Sequence, residues 1–378
     1  MFAFNVIQKD RDSHARLGEL ATFHGKVATP AFMAVGTRAT VKGLTPVQLA
    51  DAGVRVVLGN TYHLMLKPGS ELIADLGGLH KFMDWDGPIL TDSGGYQVFS
   101  LSKLNKKTDA GVAFRSHIDG SKQWLDPESS MKIQHQLGSD IAMAFDDCTA
   151  FPCTHVETEK SMHLTHAWAR RSLDAFVGDR QVLFGIVQGG MFADLREQSA
   201  AFINELPFSG VAIGGLSVGE PKVQMYRTLA HTAPLLDEKK PHYLMGVGTP
   251  CDLLNAISVG VDMFDCVMPT RNARNGQAFT SQGGLSIKQA GFRRDERPLD
   301  PACGCYTCTR FSRAYLHHLY KMGEILSSVL MTLHNLSYYQ DLMTKTREAI
   351  VAGTFAAFKT QVHQAYGEPE IHSLLEAV

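Results

Sequence analysis

Val182-Leu183-Phe184-Gly185-Ile186-Val187-Gln188-Gly189-Gly190 is an apolar run that stops abruptly at a polar residue and two glycines. A strand with one wet face alternates apolar and polar residues; this run does not, so both its faces are covered, as in a parallel sheet flanked by helices. The same phrase recurs along the chain, at Pro30–Val35, Arg55–Leu58, Pro88–Thr91, Ile141–Phe145, Gly210–Ile213, Tyr243–Met245 and Met263–Val267. Helix-start signals stand between several of them: Thr45-Pro46 before Val47–Ala52, Asp126-Pro127 before Glu128–Leu137, and Thr249-Pro250 before Cys251–Val259. Eight such strands alternating with helices predict an α/β fold, and a closed (β/α)8 TIM barrel rather than an open doubly wound sheet, which has fewer strands.

Two intervals exceed what a βα loop needs. Between Thr91 and Ile141, Ala113–Ile118 and Ser121–Leu125 flank Asp119-Gly120, which reads as an inserted β-hairpin. The second interval, residues 283–336, holds Cys303, Cys305 and Cys308 and most of a basic stretch. The 378 residues therefore read as a single barrel, 1–378, carrying a zinc-binding subdomain within it.

Active-site residues of such barrels lie where strands end. Here the ends are Asp92-Ser93-Gly94-Gly95-Tyr96-Gln97, Asp146-Asp147-Cys148, Gln188-Gly189-Gly190, Gly214-Gly215-Leu216-Ser217-Val218-Gly219-Glu220, Met245-Gly246-Val247-Gly248 and Asp265-Cys266. An aspartate after a strand is commonly a helix cap or turn former. Three strand ends delivering carboxylates to one rim point instead to chemistry at an anomeric carbon, one group attacking and another moving protons. The glycines let a flat ligand approach the backbone, Tyr96 and Met245 can sandwich a ring, and Gln188 offers both donor and acceptor to its edge.

Three soft ligands within six positions, Cys303-x-Cys305-x-x-Cys308, predict a structural Zn2+ site whose fourth ligand is His317, His318 or His334. The remaining cysteines are scattered and suit a reducing compartment. Charge is also uneven. The chain carries 36 Lys+Arg against 38 Asp+Glu. Between Arg271 and Arg313, however, eight basic residues face three acidic ones, a local surplus that suits a phosphate backbone. No run approaches the roughly 20 apolar residues of a membrane helix. Lys9-Asp10-Arg11-Asp12 interrupts any leader, so a cytoplasmic protein is expected.

Taken together, Leu90–Gln97, Gly185–Gly190, Gly214–Glu220, Tyr243–Gly248, Phe264–Asn272 and the cysteine cluster resemble the bacterial tRNA-guanine transglycosylases of queuosine biosynthesis over nearly the whole chain. The resemblance implies exchange of the anticodon wobble guanine, flanked by uridines, for 7-aminomethyl-7-deazaguanine. It implies Asp265 as nucleophile and Asp92 as general acid/base. Asp146, Cys148, Gln188, Gly215, Leu216 and Glu220 would surround the base, with Tyr96 and Met245 on its faces. Arg271 and Arg274 would contact RNA, and Cys303, Cys305, Cys308 and His334 would hold the zinc. It also implies a homodimer. Val218 and Cys148 stand where relatives that take the bulkier queuine resemble this chain but carry Gly and Val, and Asp147 departs from the family's usual Glu. Two rival readings are weaker: a barrel glycoside hydrolase leaves the cysteines and basic stretch unexplained, and a non-catalytic RNA-binding subunit has no need of both Asp92 and Asp265.

Overall fold

In a computed structural model, which describes residues 2–101 and 105–371, eight parallel strands close into a barrel. They are Ala31–Gly36, Val57–Gly59, Ile89–Thr91, Ile141–Met143, Val182–Val187, Gly210–Ile213, His242–Leu244 and Met263–Asp265, with the last pairing to the first. The eight apolar runs in the sequence fall on these eight strands. Their side chains divide by parity: Met33, Val35, Leu58, Leu90, Met143, Ile186 and Met263 form one buried cluster inside the barrel. Their strand neighbours Phe32, Leu183, Val187, Val211, Leu244 and Phe264 pack outward into a second cluster with helix residues. This two-sided burial is why the runs do not alternate.

The predicted helix starts are real caps. Thr45, Asp126 and Thr249 each accept the backbone N–H three residues on, with proline at the first helical position, opening helices Pro46–Asp51, Pro127–Leu137 and Pro250–Ser258. A second pattern escaped the sequence reading. Ala3–Lys9, Arg16–Thr22 and Gly25–Thr29 make an antiparallel sheet whose Leu20 and Val27 join the barrel-interior cluster and plug its N-terminal pole.

The insertion after the third strand is a three-stranded sheet, Asn105–Thr108, Gly111–Arg115 and Lys122–Leu125. Its second turn is wider than the two residues read from Asp119-Gly120. Ser116 and Asp119 bond the amides of Ile118 and Ser121 through their own side chains, which favours a six-residue loop over a tight hairpin. The cysteine-bearing segment lies beyond a hairpin, Gln277–Thr280 with Gly283–Ser286, and is closed by the long helix Ile325–Ala352. Its core of Ile287, Leu299, Cys308, Leu316, Leu319 and Leu330 also includes Ala273, which sits on the short helix Met268–Arg274 at the barrel rim. The clustered cysteines and the rim thus share one packed unit.

Candidate active site

The strand ends bring the predicted carboxylates to the C-terminal rim in unlike settings. Asp92 accepts the Thr61 amide at 2.9 Å, the Gln97 side-chain amide at 2.9 Å and a short bond from the Asn60 amide. Burial pushes its pKa up to about 7; the Asn60 and Thr61 donors oppose that shift and the charge of Asp265 adds to it. Asp265 accepts from the Tyr243 hydroxyl at 2.6 Å and the Gly246 amide at 2.9 Å, both on Oδ1. Its pKa is raised by burial as well, against those two donors. Among the described residues Oδ2 makes no hydrogen bond, so one oxygen of Asp265 is held and the other faces the open rim.

A second group surrounds the space beside this pair. Asp146 accepts from Ser93 Oγ at 3.1 Å and from Gln188 Nε2 at 2.8 Å, and burial lifts its pKa to about 6. Gln188 is itself buried, and a Cβ on Gly214 would sit 2.6 Å from its Nε2. Gly215 has a φ of +69° and its Cβ would overlap Gln188 Oε1, so glycine is required there on two grounds. Glu220 accepts the Val218 amide at 2.8 Å and a short bond from the Ser217 amide, pinning a turn in which Ser217 has a φ of +59°. Because the Ser217 N–H points at Glu220, the Leu216 carbonyl of the same planar peptide points the opposite way. Cys148 is buried, and its thiol is pushed up to about 12 by that burial. Tyr96 is 46% exposed and Met245 half-buried. Asp147 is held at 2.5 Å by Lys107 and at 2.7 Å by Ser161 Oγ, and makes no bond to the Leu216 turn among the described residues.

Several residues in this network carry no signal as a motif. Asn60-Thr61 follows the second strand directly and obeys the strand-end rule that marked the aspartates, but neither is charged. Tyr243 was read only as part of an apolar run, and Lys107 lies on the unread strand of the insertion. Arg196 is fully buried on helix Ala193–Glu205, where it donates to the carbonyls of Val187, Gly190 and Gly214 behind the Gln188 pocket. Burial lowers its pKa to about 10, so it stays charged at neutral pH.

Arg271 is exposed and Arg274 half-buried on Met268–Arg274. At the cysteine cluster the three-way histidine choice resolves. The Sγ atoms of Cys303, Cys305 and Cys308 and a nitrogen of His334 lie within 4.8 Å of one another. His334 Nδ1 is 3.3 Å from Cys308 Sγ, while Nε2 is 2.9 Å from the Phe279 carbonyl. Donating through Nε2 leaves Nδ1 as a ligand, a tautomer lock usual for metal-binding imidazoles. His317 Nδ1 instead bonds the Ile287 carbonyl, and His318 is exposed. The Cys3His set fits a tetrahedral metal site.

Residues 10–368 match the family model described as queuine tRNA-ribosyltransferase. The chain is 60% identical over 341 residues to the queuine tRNA-ribosyltransferase of Aromatoleum aromaticum, covering 90% of this chain and 92% of that one. It is 57% identical over 361 residues to the Methylobacillus flagellatus protein of the same name, covering 96% and 97%. A Neisseria meningitidis relative, also so named, is 55% identical over 366 residues, covering 96% and 98%. The chain belongs to the queuine tRNA-ribosyltransferase family.

Proposed function

We propose that this protein is a tRNA-guanine transglycosylase, exchanging the anticodon wobble guanine of tRNA for 7-aminomethyl-7-deazaguanine in queuosine biosynthesis. The observation that carries this reading is the pair Asp92 and Asp265: two carboxyls on one rim, one with a free oxygen and one whose pKa is pushed to about 7. Asp265 Oδ2 attacks the ribose C1′ as the C1′–N9 bond breaks, giving a covalent ribosyl ester, while Tyr243 and Gly246 hold Oδ1. Asp92 gives its proton to the departing guanine, which leaves neutral. The resulting Asp92 carboxylate takes the N9 proton of the incoming base, whose nitrogen displaces Asp265. Two inversions restore the β-linkage. The target base must leave the loop stack to reach this rim, as base-modifying enzymes require.

Gln188 and Asp146 read the base edge with Gly215, and Tyr96 and Met245 cover its faces. The Glu220 bonds to Ser217 and Val218 support a Leu216 carbonyl presented to an ammonium group. With Val218 and Cys148 narrowing that side, 7-aminomethyl-7-deazaguanine is preferred over queuine; competition kinetics giving the reverse order overturn this assignment. Arg271 and Arg274 contact the uridine-flanked anticodon loop. Cys303, Cys305, Cys308 and His334 hold one structural Zn2+, which supplies cross-linking of residues 283–336 rather than chemistry. The chain acts as one catalytic unit, in the cytoplasm, as a homodimer. The decisive experiment incubates enzyme with tRNA and labelled guanine. Asp265→Asn is expected to give no covalent RNA complex on a denaturing gel and at least a hundredfold slower exchange; wild-type exchange by this variant sinks the nucleophile assignment.

A further inference from the structure

The N-terminal pole of the barrel, opposite the catalytic rim, carries a cluster that the chemistry above does not use. Asp140 stands directly before the fourth strand, Ile141–Met143, and its side chain is fully buried. Its Oδ1 accepts the His24 amide at 3.0 Å and its Oδ2 the Ile89 amide at 2.9 Å. Each oxygen also meets an imidazole: His24 Nδ1 is 2.9 Å from Oδ1, and His80 Nε2 is 3.3 Å from Oδ2. The two rings are stacked, their centroids 3.5 Å apart and their planes 19° from parallel. His24 is in the turn between Arg16–Thr22 and Gly25–Thr29, and His80 is on the helix Gly78–Met83.

Among the described residues no lysine or arginine pairs with Asp140, so a buried carboxylate has two imidazoles as its only charge partners. Stacked rings tolerate one another when neutral, and neutral imidazole is the form that ligates metal. One nitrogen of each ring and one Asp140 oxygen lie within 4.8 Å of one another. Bonds of about 2.0–2.1 Å in a tetrahedron put neighbouring donors about 3.3–3.4 Å apart. The 2.9 and 3.3 Å separations here are close to that edge. They suit hydrogen bonds as well, and His80 Nε2 also lies 3.1 Å from the Gly87 carbonyl, so the experiment has to separate the two. The His24 side chain is 36% exposed, which opens the cluster to an entering ion and leaves room for water beside it. Two imidazole nitrogens with one carboxylate are donors for Zn2+ rather than for Mg2+ or Ca2+, which take oxygen.

We propose that His24, His80 and Asp140 form a second metal site, for Zn2+, with three protein ligands and an outer position for water. It ties together three separated parts of the chain: the tip of the N-terminal sheet, the helix Gly78–Met83 and the base of the fourth strand. That sheet plugs the barrel pole through Leu20 and Val27, so metal bound here fastens the plug and leaves the opposite rim untouched. With three protein ligands, one of them exposed, the site holds metal less tightly than the Cys3His cluster and empties on dialysis.

The test titrates zinc chloride into dialysed enzyme by isothermal calorimetry. One equivalent of Zn2+ per chain is expected beyond the metal retained through dialysis, and magnesium chloride at the same concentration should give none. Added Zn2+ should also raise the melting temperature by several degrees, since an ion that binds only the folded chain stabilises it. His24→Ala removes a ligand from an exposed turn. His80→Gln removes the imidazole but keeps an N–H donor for Asp140 and Gly87. Each is expected to weaken the added equivalent by about tenfold or more and to abolish the melting shift, while melting without added zinc stays close to wild type. His155→Ala is the control: His155 meets Asp194 at 2.8 Å as a surface pair, outside any three-donor cluster among the described residues, and its loss should leave the isotherm unchanged. The proposal is overturned if the wild-type protein takes up no further equivalent, or takes up magnesium equally well. It is overturned too if folded His80→Gln binds like wild type, or if His155→Ala loses the equivalent.

Discussion

At the residue scale, Asp92 and Asp265 differ less in burial than in what their oxygens do. Asp92 has donors on both oxygens and still has its pKa lifted to about 7, so at neutral pH it populates both protonation states that a two-step exchange needs. In the proposed mechanism the sign is definite: the first step would use the protonated acid, present below that pKa and lost above it. The single-turnover rate of covalent intermediate formation is therefore expected to fall tenfold per pH unit on the alkaline side of about pH 7, and to fall on the acid side as well once the Asp265 carboxylate, its own pKa raised by burial, takes up a proton. Asn60 donates to the charged form, so Asn60→Ala should move the break to higher pH; an unmoved or lowered break means Asn60 does not tune that proton. Arg196 belongs at this scale too. A buried guanidinium bonded to three backbone carbonyls has no short-range sequence signature, because its function is defined by backbone groups from two strand ends, at Val187–Gly190 and Gly214.

At the scale of elements, the metal cluster and the rim are coupled by packing. Cys308 and Ala273 share a core, and Ala273 lies between Arg271 and Arg274 on Met268–Arg274. Removing a ligand should loosen that core and, through it, the arginines. Metal analysis of the parent protein is expected to return one zinc per chain; Cys308→Ser is expected to lose it and to melt several degrees lower, since a structural zinc site contributes directly to folding. It should also weaken stem-loop binding; unchanged melting with the metal gone would show the cluster to be no structural pin. What could be read without coordinates follows the same physics. Continuous apolar strands, Thr-Pro and Asp-Pro caps and clustered cysteines are local patterns, and each marked its element. The N-terminal sheet is two-faced and partly polar, so it lacked the run that flagged the barrel strands. Tyr243 was hidden because an aromatic in a strand reads as core, and here it is core at the ring and site at the hydroxyl. His334 could not be chosen by spacing, since its claim rests on the Phe279 carbonyl, 55 residues away.

At the scale of the whole molecule, the cysteine-bearing segment presents an apolar surface that a lone chain leaves in water. Tyr306 is 57% exposed, Met322 62% and Ile325 81%. Phe311 packs on Tyr306 and stacks on Tyr315 at 5.5 Å. Tyr315 and Met322 are seven residues apart on one helix, Arg313–Met322, and so share a face. Clustered exposed aromatics of this kind mark an interaction site, and a two-fold symmetric dimer lets one patch satisfy itself on the partner's copy. Sedimentation equilibrium is expected to return about twice the 41.4 kDa of the chain. Tyr315→Ala/Met322→Ala should shift that mass toward the monomer, with metal analysis checking that zinc is retained. The metal-free Cys308→Ser variant discriminates further: if the patch depends on the zinc-pinned core beneath it, that variant should also dissociate. A monomeric wild-type protein at micromolar concentration would remove the dimer, and leave this surface to a different partner.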